Sequence, residues 1–287
     1  MDALYHYCST PTFHSIVQSR SIWLSLLTLS NDSMEGKLVT KVITRLAERD
    51  GLDCDSIERI RAWLNLLESE FDGFGFCLSE EGDLLSQWRG YAADATGVAI
   101  GFSRDYLEEI SASSVKENPP GFSLNRVEYT LMGHESKVEP IYGKMRKHID
   151  DGALEISGQR GLLDIRSDEE IDEDRKRIAN SHANLALTVL SLFPMLFHLK
   201  AQAFSEEKEW RLLSLFIEGV VDKCLYRTSP DRVIPYRSFE LRAVEHPPIL
   251  EVVLGPKHRT PPHIVKAFLK NNGFGEVGVR PSEASYR

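Results

Sequence analysis

Three features of this chain predict an α+β fold, with a mixed, mainly antiparallel central sheet and flanking helices. Short β-like runs and amphipathic helices are interspersed without a regular βαβ rhythm. Several helices carry recognisable entry or exit residues, so their bounds can be placed. With 287 residues, 42% hydrophobic and 27% charged, the chain also has enough apolar material to bury a sizeable core.

The elements follow in chain order. "LYHYCSTPTFHSIVQSRSIWLS" (4–25) reads as strand, short helix, strand, with His6 and Ser9 at the end of the first strand and Trp23 and Ser25 in the second. Leu38, Val39, Val42, Ile43 and Leu46 form a helical stripe ended by Gly51. Ile57, Ile60, Leu64, Leu67 and Phe71 form another, entered by a capping box at Asp55 and Glu58. β-like runs then fall at 74–79, 97–102 and 126–130, and stretches rich in Ser, Gly, Pro and charge at 111–125 and 151–166 read as loops. A helical region spans 168–199, entered through Ser167 and Glu170. Strand runs follow at 209–216, 249–255 and 276–280, and Thr260 is placed to cap a helix that Gly273 ends. No internal repeat appears. The organisation expected is one α+β domain over 1–287 with a helical insertion at about 131–200.

Charge and composition narrow the function classes. A net charge of −9 disfavours a broad phosphate-neutralising surface and hence a nucleic-acid partner. Cys8, Cys54, Cys77 and Cys224 are widely spaced, without zinc-ligand spacing, so reduced thiols and no metal site are expected. The longest apolar run, residues 183–199, is interrupted by Asn184, Pro194 and His198 and is too short to span a membrane. No leader pattern opens the sequence, which points to a cytoplasmic protein without a membrane partner.

Candidate chemistry lies in four stretches. In "SNDSMEG" (30–36), Asp32 and Glu35 have capping-box spacing, which leaves Asn31 the residue least explained by capping. In "LSQWRGYAADATGVAIGF" (85–102), Trp88 and Tyr91 stand three apart with Arg89 between them, a set suited either to a flat anionic ligand or to a core rim. The strand that ends this stretch has one face of only Gly97, Ala99 and Gly101, so a helix or a ligand must approach its backbone closely. In "KAQAFSEEKEWRLLSLF" (200–216), read as a strand from Glu207 onward, Glu207, Glu209 and Arg211 share one face. That face is either a salt-bridged surface or a cleft in which a carboxylate meets developing positive charge. In "LGPKHRTPPH" (254–263), Lys257, His258 and Arg259 form either an anion-binding mouth or a solvated turn. Walker A, G-x-S-x-G, H-E-x-x-H and G-x-G-x-x-G motifs are all missing from the sequence.

Taken together, "LYHYCS", "IWLS" with "NDSME", "FCLSEEGDLLSQWRGYA" with "GVAIGF", "KAQAFSEEKEWRL", "VVLGP" and the closing "SYR" resemble a bacterial family known as domain of unknown function 2971. The opening stretch is also similar, more distantly, to ADP-ribosyltransferase-like proteins, with Tyr7 and Cys8 in place of their usual small residues. That second resemblance implies an NAD-dependent transferase or NAD-hydrolysing enzyme, a toxin or defence effector with NAD as co-substrate and an unknown macromolecular acceptor. It implies that His6 contacts the adenosine ribose and that Glu209, or else Glu207, grips the nicotinamide ribose. Ser9, Trp23, Ser25, Asn31, Trp88, Arg89, Tyr91 and Arg211 are then the expected binding residues for the nucleotide. The alternative is a non-enzymatic nucleotide- or protein-binding module on the same scaffold.

Overall fold

The computed structural model describes residues 2–29, 36–114, 121–155, 166–217, 224–229 and 231–286. The fold is α+β. Contacts cluster in two units. One comprises 1–31, 73–127 and 203–287, and the other 32–72 and 128–202. Where one domain with an insertion at about 131–200 is expected, the second unit therefore combines that region with an earlier helical pair.

The chain begins with β1 (Ala3–Cys8), α1 (Thr10–Ser19) and β2 (Ser21–Leu26). Ser9 ends β1 and caps α1, its Oγ accepting from the Thr12 amide at 3.3 Å, and Pro11 sits in the first turn where no amide hydrogen is needed. Next come α2 (Leu38–Arg49), α3 (Cys54–Glu70) and β3 (Phe71–Ser79). The cap of α3 is Asp53, not the expected Asp55–Glu58 box. Asp53 accepts from the Ser56 amide at 2.9 Å and its hydroxyl at 2.7 Å, closing the helix end two residues earlier. The run after α3 continues as α4 (Leu85–Tyr91), β4 (Val98–Ser103), α5 (Arg104–Ser114), β5 (Ser123–Arg126), α6 (Leu131–Asp150) and α7 (Asp168–Leu190).

Of residues 126–130, which the sequence pattern predicts as a strand, only Arg126 belongs to one. The Glu128 carboxylate accepts from the Tyr129 and Thr130 amides and so turns the chain into α6, which Thr130 caps. The capping box at Ser167 and Glu170 forms as expected, while α7 stops at Leu190 instead of reaching 199. The last elements are β6 (Glu209–Ile217), β7 (Leu225–Ser229), β8 (Arg232–Glu240), β9 (Ile249–Leu254), α8 (Pro262–Asn271) and β10 (Gly278–Pro281). Pro261, not Thr260, is the N-cap of α8, and the Thr260 amide donates to His258 Nδ1. Among the described residues no helix is long and apolar enough to cross a membrane.

The first unit holds a ten-stranded sheet in the order β10-β9-β4-β1-β3-β2-β8-β7, with β6 joined to β3 and β5 to β6. β9 and β10 run parallel, whereas β1, β2, β4 and β8 meet their registered neighbours antiparallel. One face buries Leu4, Ile22, Leu24, Phe74 and Ile100 against Phe13, Ile16 and Val17 of α1 and Leu269 of α8. On the other face Ala99 and Val253 pack under Tyr7 and Trp88. The tight approach expected over Gly97, Ala99 and Gly101 is thus made by protein. A Cβ on Gly97 would fall 2.1 Å from the Cys8 carbonyl oxygen. In the second unit, α6 packs on α2 and α7, and α3 packs on α2 and α7, through stripes such as Val42, Ile43 and Leu46.

Candidate functional site

A split in the sheet opens a cleft. β1 pairs with β4 over six residue pairs, Ala3↔Ser103 to Cys8↔Val98, but its register with β3 is one pair, Tyr5↔Ser79. β3 in turn is registered to β2 at Ser25↔Gly75 and Leu26↔Phe74. Past Tyr5 the ladder between β1 and β3 therefore lapses, and backbone groups there need other partners. His6 supplies one. Its Nδ1 lies 2.8 Å from the Cys77 carbonyl oxygen, and its ring stacks on Phe76 at 4.0 Å between centroids. A carbonyl can only accept, so Nδ1 carries the hydrogen and the neutral ring keeps Nε2 as an acceptor.

The resulting cleft has a volume of about 340 Å³ and is lined by His6, Ser9, Trp23, Ser25, Tyr91 and Arg227, with Gly75 and Cys77 in its wall. Alternation along β2 explains two of these. Ile22 and Leu24 are fully buried in the core, which sends Trp23 and Ser25 to the other face. Trp23 also leans on Tyr236 of β8 at 4.9 Å between ring centroids. Tyr91, the last residue of α4, lines the cleft with its hydroxyl 3.3 Å from Glu207 Oε1.

Arg227 is the member that sequence reasoning missed. It lies in β7 opposite Ile234 of β8, and its guanidinium donates to the Ser25 hydroxyl at 3.1 and 3.3 Å. No carboxylate among the described residues lies within ion-pair distance of it. Burial lowers the Arg227 pKa from its ordinary value. Burial likewise pushes His6 down to about 4, with a small further lowering from the Arg227 charge, while the Cys77 hydrogen bond works the other way. At neutral pH the cleft thus presents one cation, a neutral imidazole and hydroxyls. The sequence signal for Arg227 is the β-like run "LYRTS" of β7.

Other expected site residues have different surroundings. Glu209 and Arg211 do share one face of β6, and there they form a two-pronged ion pair, Nε to Oε1 at 2.6 Å and a terminal nitrogen to Oε2 at 3.0 Å. Both are buried, at 5% and 1% exposure, and neither lines the cleft. Glu207 does not lie on that strand as expected. It ends a 3₁₀ turn over Gln202–Glu207, and Lys208 follows with φ 43°, which breaks the alternation. Trp88, expected to bind a nucleotide, is fully buried. Its Nε1 donates to Asp83 at 2.7 Å and its ring meets Tyr7 edge-on at 4.8 Å, so it is core. Arg89 sits over the Tyr286 ring at 5.9 Å and does not line the cleft. Asn31, with Asp32 and Glu35, lies outside the described residues. Among the described residues no group of three or more His, Cys, Asp or Glu side chains is arranged to hold a metal ion.

The fold and the cleft together define an α+β protein with a ligand-sized opening in its sheet. Residues 87–212 match the model of a family described as a protein of unknown function (DUF2971), in agreement with the family resemblance of the motifs. That span carries Tyr91, Glu207, Glu209 and Arg211. No curated protein and no solved structure matches the chain, and no comparison supports the likeness to ADP-ribosyltransferases.

Proposed function

We propose that the cleft between β1 and β3 binds a small anionic ligand with a flat ring, of the nucleotide class. The observation that carries this reading is Arg227, a partly desolvated guanidinium held by a serine hydroxyl inside a cleft. An arginine so placed gains most from an incoming carboxylate or phosphate, to which it can give two parallel hydrogen bonds. Trp23 and Tyr91 on the same cleft offer ring faces for a base. The volume of about 340 Å³ lies at the lower end of small-molecule sites, the size of a mononucleotide. Calorimetric titration with AMP and with adenosine tests the reading. Saturable AMP binding, at least tenfold tighter than adenosine and lost in Arg227→Met, is expected. Equal affinity for the two, or an unaffected Arg227→Met variant, rules it out.

A second reading, ADP-ribosyl transfer or hydrolysis with NAD as co-substrate, draws support from Glu207, a buried carboxylate that accepts from the hydroxyl of the cleft residue Tyr91 at 3.3 Å. In that reaction the bond between the ribose C1′ and the nicotinamide nitrogen breaks, and its electron pair leaves with nicotinamide. Water or an acceptor then donates an oxygen or nitrogen lone pair to C1′ and gives up a proton. Positive charge develops on the ribose meanwhile, and a fixed carboxylate stabilises it. Glu207 suits that part better than Glu209, whose two oxygens already serve Arg211. A toxin or defence role, and a macromolecular acceptor, belong to this reading alone. Nicotinamide release that Glu207→Gln abolishes and Glu209→Gln spares is its expected mark, and no release from NAD with cell lysate present counts against it.

A further inference from the structure

Residues 282–286 are tied to the chain on both sides of α4. β10 ends at Pro281, and the Ser282 amide still donates to the Leu254 carbonyl of β9 at 2.8 Å. Just before α4, the Asp83 carboxylate accepts from the Ser282 hydroxyl at 2.5 Å and from the Glu283 amide at 2.6 Å. Just after α4, Asp94 accepts from the Tyr286 hydroxyl at 2.7 Å. Between those two ties, Ala284 and Tyr286 pack against the cluster that holds Trp88, Ala92 and Ala95. Arg89 and Lys257 lie over the Tyr286 ring at 5.9 and 3.9 Å.

α4 gains from such support. Its seven residues are too few for an isolated helix, and its N-cap, Leu84, has no side-chain acceptor for the first turn. The turn that follows holds three successive non-glycine residues at positive φ, 49°, 52° and 68° at Ala93, Asp94 and Ala95, a costly conformation kept by its surroundings. Asp94, the middle one, is bonded by Tyr286 and by Lys257, the latter at 2.9 Å. The buried Trp88 seats the middle of α4 in the core, so the ends are what residues 282–286 fix. Tyr91, the ring that α4 gives to the cleft, is the last residue of the helix and stands close before that turn.

We propose that residues 282–286 form a strap that sets where Tyr91 stands in the cleft, with Tyr286 as a positioning residue. Tyr286 does not line the cleft and acts through Asp94 and the end of α4. The effect on affinity rests on the nucleotide reading above, whereas the hold on α4 does not.

Calorimetric titration of the full chain with AMP, in the wild type, Tyr286→Ala, Tyr91→Leu and the double variant, tests the strap together with hydrogen exchange. Tyr286→Ala should weaken AMP by about fivefold or more, yet by less than about twofold where Tyr91 is already leucine. It should also speed exchange of the Ala95 and Gly97 amides, which bond the Trp88 and Ala92 carbonyls, by about tenfold, and leave β2 and β8 unchanged. Tyr286→Phe gives up only the bond to Asp94, should move both readouts the same way, and serves if Tyr286→Ala fails to fold. Unchanged AMP affinity in the Tyr286 variants, or equal losses with and without Tyr91, overturns the strap while the nucleotide reading stands. Unchanged exchange at Ala95 and Gly97 overturns it in every case. If AMP does not bind the wild type, the nucleotide reading falls, and the exchange result alone decides whether the strap holds α4.

Discussion

Arg211 and Arg227 sit on strands of one sheet and have opposite surroundings. Arg211 on β6 is buried beside a carboxylate, and two hydrogen bonds to Glu209 compensate its lost hydration. Arg227 on β7 keeps access to a cleft and meets a hydroxyl, which compensates it only in part. A cation matched by its own chain adds to the structure, whereas one left partly unmatched beside an open space can serve a ligand. Charge and burial do not by themselves distinguish the two positions. What distinguishes them is whether the chain already supplies the counter-charge.

The largest expected effect breaks the matched pair. Glu209→Ala leaves the Arg211 charge buried and should cost about 3–5 kcal/mol in urea denaturation. A loss below about 1 kcal/mol would show that the pair is not structural and would reopen a site role for Glu209. Next in size is the pH response of the cleft. His6 has its folded pKa near 4, below the ordinary 6.5, so the unfolded chain takes up the proton first as pH falls. The contribution of His6 is full above about pH 6.5 and fades toward pH 4. Between pH 7.5 and 5 the wild type should lose about 2 kcal/mol that His6→Gln does not lose. Parallel stability curves for the two proteins would contradict a neutral, partly buried imidazole.

A smaller effect separates the tryptophans. Trp88→Phe gives up the bond to Asp83 and should cost about 1–2 kcal/mol while leaving AMP affinity intact. Trp23→Leu should instead weaken AMP with little change in melting temperature. Affinity lost in Trp88→Phe would place that ring in the binding process after all. The smallest stability change is expected at Arg227, where Arg227→Met should alter unfolding by less than about 1 kcal/mol. Its signature is binding, and a large destabilisation would make Arg227 a second structural arginine.

Local chemistry explains which parts were legible. The helices with uninterrupted stripes or strong caps, such as α2 and α7, follow from periodicity and from Ser167–Glu170. The strands rich in β-branched and aromatic residues were legible for the same reason. The hairpin of β7 and β8 was not, because Pro235 and its charged residues weaken the strand signal until β2 pairs alongside. Phe71 closes a helical stripe in the sequence yet starts β3, since pairing within the sheet outweighs a weak local preference. Of the cleft's lining, the sequence singles out His6, Ser9, Trp23, Ser25 and Tyr91 as polar or aromatic residues on or beside β1, β2 and α4. Spacing leaves Trp88 open between a ligand and the core, because a helix of seven residues has an inner and an outer side that spacing cannot orient, and its full burial puts it in the core. Glu207 was misread because the left-handed Lys208 interrupts the alternation.

By itself the sequence determined the α+β class, most element positions and the shared face of Glu209 and Arg211, because propensity, capping and period-two alternation act over a few residues. Only the tertiary structure decided that the ladder between β1 and β3 lapses after Tyr5, and that Arg227 arrives there from a strand more than two hundred residues away. It also decided that Glu209 is already matched. The physical reason is that a lapsed ladder and an unspent charge are properties of pairing between distant segments, which no local pattern encodes.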